Sequence, residues 1–400
     1  MAEELCIMVP KRARHFAAIC ELATTTFYRG TGHYTPAYIR DNYFSHSHYD
    51  WRASRIGLIG ENLVTHFGVW DFNMRVGSAQ LRVAAIGAVA THADFRKRNL
   101  MMPTASCCVE GLRAHGYDVT MLFGIPNFYH RFGYVPAWGI TTYILSTEQL
   151  PAERPRLPVR AFASCARADT DALYNEENAG VTGTAIRPTY RWGTAQSRFP
   201  GLRWLDDRGN TAGYVVYYHE GETLHLYDSA GDVEQRLRVL GKVARQLLCK
   251  EVRIGSIPHE SALATRLRWM TCREDTHYSH TGGAMIRTVN LNAVLRNLAG
   301  ELSRRLAASP LAGWHGQLTI ADPREEVTLA IAGGQVLVAP AAASAHRVQG
   351  GEQIAQLLIG KQSAAEVSEM AGFQLSGDAA LLLDVLFPAQ HPTLAVWDSY

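Results

Sequence analysis

The stretch from Ile86 to Phe123 constrains the fold most, because two short apolar runs flank a segment of helical periodicity. Residues 86–90 and 119–123 are small, β-branched or otherwise apolar, which favours buried strands. Apolar residues between the runs recur at helical spacing, namely Met101, Ala105, Cys108, Val109 and Leu112. Strand, helix and strand in this order predict a parallel pair of strands joined by a right-handed crossover.

The turn before this helix carries three adjacent cations, Arg96, Lys97 and Arg98. Pro103 fits only the first turn of a helix, so we expect the helix to begin near Asn99. Cations at a helix N-terminus oppose the helix dipole unless an anion lies there. A phosphate held by free N–H groups would explain them, and a solvated basic turn is the alternative.

A second motif, Phe128-Tyr129-His130-Arg131-Phe132-Gly133-Tyr134, follows the second strand. The two motifs together resemble those of the GNAT acetyltransferases, in which a strand ending V-A-T precedes a pyrophosphate loop R-x-x-G-x-[GA] and a later segment reads F-Y-x-R-F-G-[FY]. Asn99 stands where the family usually has Gly, and Met101 where it often has Gly or Ala. Asparagine tolerates left-handed backbone angles better than most residues, so the loop can still close.

Length and composition describe an ordinary globular chain of two or three domains, with 400 residues and a formal net charge of +2. No cationic block suggests nucleic acid or a membrane surface, and no apolar run approaches the ~20 residues of a membrane span. Seven cysteines without C-x-x-C spacing argue against disulfides or structural zinc. The motif His46-Ser47-His48-Tyr49-Asp50 lacks a third ligand, so we expect no metal. We expect a cytoplasmic protein with a small-molecule partner.

The chain divides at a proline-rich linker over residues 150–158. Alternating strands and turns between Arg55 and Val89 predict that the parallel unit belongs to a mixed α/β sheet. A second α/β region follows the linker, and its strand at residues 252–256 imitates residues 86–90 without a basic turn after it. We therefore expect no second cofactor site. A third region of helices and strands begins at Met285.

Over nearly the whole chain, this order resembles the Eis-type branch of GNAT proteins. The resemblance implies tandem GNAT folds followed by a sterol-carrier-like α+β domain: a catalytic domain at 1–150, a degenerate copy at 151–284 and the third domain at 285–400, with its tail reaching the active site. It also implies a homohexamer.

The same resemblance implies roles for individual residues. Tyr129 would protonate the departing thiolate, and the terminal carboxylate of Tyr400 would accept the proton of the amine. Backbone groups of Val89 and Thr91 would pair with the pantetheine arm of acetyl-CoA, and a main-chain N–H there would polarise the thioester oxygen. The residues expected to bind acetyl-CoA are Val89, Ala90, Thr91, Arg96, Lys97, Arg98, Asn99, Leu100, Met101 and Asn127.

The expected activity is direct transfer of an acetyl group to a primary amine of a small cationic acceptor, such as an aminoglycoside, a polyamine or a lysine. Asp71 and Asp398 are candidates for holding such an acceptor. Two alternatives stay open: a longer acyl donor, and a catalytically weak GNAT scaffold or lipid-binding protein that acts through the C-terminal domain.

Overall fold

The structure is a computed structural model, and it describes residues 4–28, 35–45, 47–161, 167–189, 199–340, 344–370, 372–395 and 398. The expected mixed α/β class is confirmed, since the described residues form mixed sheets of eight, seven and five strands with helices packed on them.

The strands in chain order are β1 (Leu5–Met8), β2 (Arg55–Ile59), β3 (Asn62–Val76), β4 (Ala79–Thr91), β5 (Val119–Gly124), β6 (Val135–Pro136), β7 (Ile140–Ser146), β8 (Val159–Ala161), β9 (Ala185–Ile186), β10 (Gly201–Leu205), β11 (Thr211–Glu220), β12 (Thr223–Gly231), β13 (Glu251–Gly255), β14 (Arg273–His277), β15 (Gly283–Thr288), β16 (Gly316–Ala321), β17 (Glu326–Ala332), β18 (Gln335–Ala339), β19 (His346–Gln349) and β20 (Gln374–Ser376). The α-helices are α1 (Arg12–Phe27), α2 (Pro36–Tyr38), α3 (Met101–Gly111), α4 (Arg167–Glu177), α5 (Val233–Gln246), α6 (Ala262–Arg268), α7 (Leu291–Ala307), α8 (Ile354–Leu358), α9 (Ala364–Ser368) and α10 (Ala379–Leu386).

The first sheet has the order β1-β2-β3-β4-β5-β15-β6, and β9 pairs with β3 outside this path. Its parallel pair is β4 and β5, and α3 forms the crossover between them, as the periodicity predicts. Ala105, Cys108 and Val109 of α3 are buried against strand residues of this sheet. Helix α1 buries Ile19 and Ala23 in a separate core.

Two strands join sheets that their positions in the chain do not suggest. β7 lies before the proline-rich linker, yet it pairs with β13 and β14 in the second sheet. β15 comes after the whole second sheet, yet it inserts between β5 and β6 of the first. The expected boundary at 150/151 therefore assigns β7 to the first domain although β7 pairs in the second sheet, and the boundary at 284/285 falls within β15 of the first sheet.

The second sheet repeats the crossover of the first with a different helix start. β12 and β13 are parallel and are joined through α5, so the counterpart of β4 is β12 and not residues 252–256, which we matched to it from the sequence. The side chain of Asp232 accepts a hydrogen bond from the Gln235 N–H, and Glu234 lies in the first turn of α5. Carboxylates thus occupy the helix end where an anion would bind, which disfavours a phosphate there.

The third sheet, in the order β18-β17-β16-β19-β20, is joined to the first by α7. This helix contacts both β4 and β18. Its Glu301 side chain, which is 0% exposed, accepts hydrogen bonds from the main chain and hydroxyl of Ser78 and from Arg304 and Arg305. Burial alone would raise the pKa of Glu301, but the hydrogen bonds from Arg304 and Ser78 outweigh it and lower the pKa to about 2.

We expect Glu301→Gln to lower the free energy of unfolding at pH 7 by about 2 kcal/mol, since it weakens the charge-assisted bonds from Ser78, which tie α7 to the turn between β3 and β4, and those from two arginines of α7. The pKa of Glu301 is lower in the folded protein than in the unfolded chain, so its stabilisation is present above the unfolded value near 4.5. The difference between the variants should therefore shrink as the pH falls from 4.5 towards 2. Urea titrations at several pH values measure this. Glu326→Gln, at an exposed pair with Arg347, is the matched control and should cost well under 1 kcal/mol.

Candidate active site

A cavity of about 840 Å³ opens where β4 and β5 separate. Parallel pairing between them runs from Val83 and Val119 to Ile86 and Leu122, and the ends of both strands beyond that point border the cavity. The volume falls in the range of small-molecule sites. The lining residues are Ala23, Thr26, Phe27, Ile39, Tyr43, Ile86, Gly87, Ala88, Val89, Thr91, Phe95, Arg96, Lys97, Asn99, Leu100, Met101, Met102, Phe123, Ile125, Phe128 and Tyr129.

The three cations lie in the turn before α3 and not on the helix itself, because α3 begins at Met101. Lys97 and Asn99 adopt left-handed backbone angles, with φ values of 63° and 58°. Asn99 thus adopts the left-handed conformation that glycine usually occupies, as its tolerance of such angles led us to expect. Among the described residues, the N–H groups from Lys97 to Leu100 have no main-chain acceptor, so the turn presents free donors at a positive helix end.

Most of the residues expected at the cofactor site border this one cavity. They are Val89, Thr91, Arg96, Lys97, Asn99, Leu100 and Met101, and Tyr129 borders it as well. Ala90, Arg98 and Asn127 are not among the lining residues.

These three residues adjoin the lining residues and make other contacts. Ala90 is buried opposite His66 in the sheet. The guanidinium of Arg98 stacks 5.0 Å from the centroid of the Phe95 ring. The Asn127 N–H donates to the Thr281 carbonyl.

Tyr129 begins a short 3-10 turn, Tyr129–Phe132, that Gly133 ends with a left-handed φ of 79°. The Tyr129 ring is buried and lines the cavity, and its hydroxyl has no hydrogen-bond partner in the described part of the chain. Burial raises the pKa of Tyr129 to about 12, so the phenol is protonated at neutral pH. Tyr134 differs, because its hydroxyl is bonded 2.8 Å from the Thr120 hydroxyl inside the core.

The two carboxylates considered for the acceptor are occupied elsewhere, so that expectation is wrong. Asp71 pairs with Arg82 at 2.7 Å, and Asp398 pairs with Arg187 at 3.0 Å with both side chains 0% exposed. Neither borders the cavity, and no other carboxylate does so within the described chain. Tyr400 lies outside the described residues.

Two neighbours of the site were not singled out from the sequence. No sequence pattern distinguishes His66 from the other residues of its strand. Tyr49 belongs to the motif at residues 46–50, for which we expect no metal. His66 Nδ1 lies 2.8 Å from the carbonyl of the cavity residue Ala88, and His66 Nε2 lies 2.8 Å from the Tyr49 hydroxyl. Only the fold brings these segments together, and no local pattern marks them.

Within the described ranges, no group of three potential metal ligands occurs. None of the helices there is both long and apolar enough to span a bilayer.

Comparison with known families gives one match, at the part of the chain that forms this cavity. Residues 12–137 match the profile described as "Acetyltransferase (GNAT) domain". The chain contains a GNAT acetyltransferase domain. The expected enzyme class, a GNAT acetyltransferase, is confirmed, and domains of this kind use acetyl-CoA. A sequence comparison with curated proteins finds no match.

Solved structures resemble the chain over almost its full length. A GCN5-related N-acetyltransferase from Kribbella flavida has 17% identity and a TM-score of 0.74, over 99% of this chain and 100% of the other. A probable N-acyltransferase of unknown function from Enterococcus faecalis V583 has 16% identity and a TM-score of 0.78, over 99% of each chain. Eis1 from Mycobacterium abscessus has 16% identity and a TM-score of 0.66, over 97% of this chain and 98% of the other. At these identities the likeness concerns the fold.

The left-handed angle at Asn99 of the GNAT domain gives a direct test of the turn. Asn99→Ala should lower the free energy of unfolding by about 1 kcal/mol, because a β-carbon without a polar side chain disfavours this angle. Asn99→Gly, the residue usual in the family, should cost less than Asn99→Ala. Denaturant titration of the three proteins measures the order. Equal stability of the alanine and glycine variants would contradict a left-handed residue 99.

Proposed function

We propose that the protein transfers an acetyl group from acetyl-CoA directly to a primary amine of a small cationic acceptor, with Tyr129 as the acid. The observation that carries this proposal is a single cavity bordered both by the cationic turn and by a protonated phenol that has no hydrogen-bond partner among the described residues. The match to a GNAT domain supports acetyl-CoA as the acetyl donor. The geometry of the cavity supports this cavity as its binding site.

The cationic turn is the proposed site of the pyrophosphate. The N–H groups from Lys97 to Leu100, which have no main-chain acceptor in the described chain, precede α3 directly, and Arg96 and Lys97 border the cavity. Main-chain donors, the helix dipole and two cations all favour a polyanion there. The pantetheine arm would then follow Thr91 and Val89 along the edge of β4 that β5 has left, which brings the thioester towards Tyr129.

The reaction needs one proton acceptor and one proton donor. The amine must lose a proton to attack the thioester carbon, and the C–S bond then breaks and releases the CoA thiolate. Tyr129 can donate its phenolic proton or a hydrogen bond to that sulfur, since it is protonated at neutral pH and its hydroxyl is free in the described chain. No covalent intermediate on the enzyme is required.

The acceptor side of the cavity is aromatic and apolar. Phe27, Ile39 and Tyr43 border it, and the described lining contains no carboxylate. The aromatic faces of Phe27 and Tyr43 can attract a cationic amine without an ion pair. We propose that this wall receives the acceptor.

The proposed base is the terminal carboxylate of Tyr400. The resemblance to Eis-type proteins supports this assignment. Asp398, two residues earlier in the chain, is held by a buried network outside the cavity lining. Arg187 donates to Asp398 and to Asp228 of β12, and the Thr189 hydroxyl also donates to Asp398.

We propose the remaining assignments on the resemblance to Eis-type proteins alone. They are a catalytic domain at residues 1–150, a degenerate copy at 151–284 and a sterol-carrier-like domain at 285–400, in a homohexamer. We propose a cytoplasmic location on the sequence composition. The strand exchange of β7 and β15 means that these units would share sheets and would not be independent.

The acid role predicts that Tyr129→Phe lowers kcat by about 10²–10³-fold with little change in the KM for acetyl-CoA. Release of the CoA thiol, measured with a panel of polyamines, aminoglycosides and lysine-like amines, tests both the activity and the variant. Tyr134→Phe is the matched control, because it removes a neighbouring hydroxyl that is bonded inside the core. Binding of acetyl-CoA without turnover of any amine would favour a non-catalytic scaffold instead.

The base role predicts that chain length at the terminus matters more than the final side chain. Deleting Tyr400 moves the carboxylate back by roughly 3.5 Å, too far for direct proton transfer. Appending residues replaces the carboxylate with an amide. Both changes should lower turnover by about 10²–10⁴-fold, whereas Tyr400→Phe keeps the carboxylate and should cost far less. Full activity of a C-terminally extended enzyme would exclude this base.

A further inference from the structure

His66 and Tyr49 form a buried chain of hydrogen bonds that ends on the wall of the cavity. His66 is 0% exposed, and its two ring nitrogens contact the Ala88 carbonyl and the Tyr49 hydroxyl, both at 2.8 Å. The ring of Tyr49 also stacks on the imidazole, with the ring centroids 5.9 Å apart. The imidazole therefore has a fixed position.

The chemistry of the three partners determines the direction of each hydrogen bond. A carbonyl oxygen can only accept, so His66 Nδ1 carries the proton that points at Ala88. Burial lowers the pKa of His66 to about 4, so the ring is neutral at pH 7 and Nε2 is an acceptor. Burial raises the pKa of the Tyr49 phenol, so the hydroxyl stays protonated and donates a hydrogen bond to Nε2. One tautomer is thereby selected.

The carbonyl that His66 binds belongs to a bulge in β4. In the pairing with β3, Gly87 lies opposite Gly68 and Ala90 lies opposite His66, so Ala88 and Val89 together face one residue of β3. Ala88 adopts a φ of 46°, an uncommon angle for a residue with a side chain. Such an angle persists when surrounding contacts hold it, and the bond from His66 is one of them.

The orientation of the peptide between Ala88 and Val89 also sets the direction of the Val89 N–H. The bond between Ala88 and Val89 is trans, so the Val89 N–H points away from the Ala88 carbonyl. The carbonyl points to the imidazole on β3, and the opposite side of β4 is the edge where pairing with β5 has ended. Val89 borders the cavity at this edge.

We propose that His66 and Tyr49 are positioning residues, which hold the Ala88–Val89 peptide so that the Val89 N–H donates to the thioester oxygen of acetyl-CoA. When the amine nitrogen bonds to the carbonyl carbon, the electron pair of the C=O bond moves onto this oxygen. It returns when the C–S bond breaks and the thiolate leaves. A donor fixed beforehand stabilises the charge without reorganisation. The inference rests on the proposed acetyl transfer.

A purely structural histidine would affect stability but not the electronic state of the bound thioester. His66→Asn and His66→Gln distinguish the two roles. The amide nitrogen of asparagine is separated from Cβ by as many bonds as Nδ1 of histidine, so it can still donate to Ala88. The amide nitrogen of glutamine corresponds instead to Nε2, so His66→Gln loses that bond while keeping a polar group near Tyr49.

We expect kcat to fall by about 10–100-fold in His66→Gln and by much less in His66→Asn, because removing one oxyanion donor outright costs 10²–10³-fold. Binding of CoA, which has no thioester oxygen, should be the same in both variants by calorimetry. Infrared difference spectra of bound acetyl-CoA with a ¹³C-labelled carbonyl give the decisive signal. The C=O band should shift to lower frequency in the wild type and in His66→Asn, and this shift should be lost in His66→Gln.

Thr319→Val is the control for lost stability, since it removes a buried hydroxyl pair with Thr328 in the third sheet. It should leave both kcat and the band unchanged. An unchanged band and kcat in His66→Gln would overturn the positioning role, as would equal losses in the asparagine and glutamine variants. If His66→Gln does not fold, a wild-type C=O band at the frequency of free acetyl-CoA would overturn it just as well. Failure of the proposed function would look different, because the wild type would then bind acetyl-CoA without acetylating any amine.

Discussion

The end of pairing between β4 and β5 is the feature on which the site depends. If the parallel ladder continued past Ile86 and Leu122, the N–H groups along the edge of β4 would be bonded to β5 and unavailable to a ligand. The bulge at Ala88 and Val89 breaks the regular alternation at this point, and the buried imidazole of His66 holds one of its carbonyls. The sheet thus keeps a gap in its interior without leaving that carbonyl unsatisfied.

The sequence was sufficient for the local part of this arrangement. Helical periodicity located α3, and three adjacent cations located the turn before it, because both signals depend on neighbouring residues. A motif of consecutive residues likewise predicted that Tyr129 lies at the site, and Tyr129 borders the cavity. The start of α3 was displaced by two residues because Asn99 adopts a left-handed angle and delays the helix.

Contacts between distant segments could not be read in the same way. β15 lies at the start of the third region but pairs within the first sheet, and the hydrogen bond between His66 and Ala88 depends on a bulge that no sequence pattern marks. The assignment of Asp71 and Asp398 to the acceptor failed because their arginine partners, Arg82 and Arg187, come from other strands or regions. Charge alone does not tell whether a carboxylate is free or already paired.

Insertion of β15 into the first sheet also determines the order in which this protein can fold during synthesis. β5 ends at Gly124, and the strand that covers its edge begins about 160 residues later, at Gly283. At roughly 5–20 residues per second, the ribosome needs about 10–30 s to produce it. During that interval the edge of β5 that later pairs with β15 carries unpaired N–H and C=O groups beside apolar residues. Such an exposed edge promotes strand pairing between chains. The nascent chain is thus exposed to aggregation until its second sheet has been made, and a chaperone that binds apolar strands would act in this window.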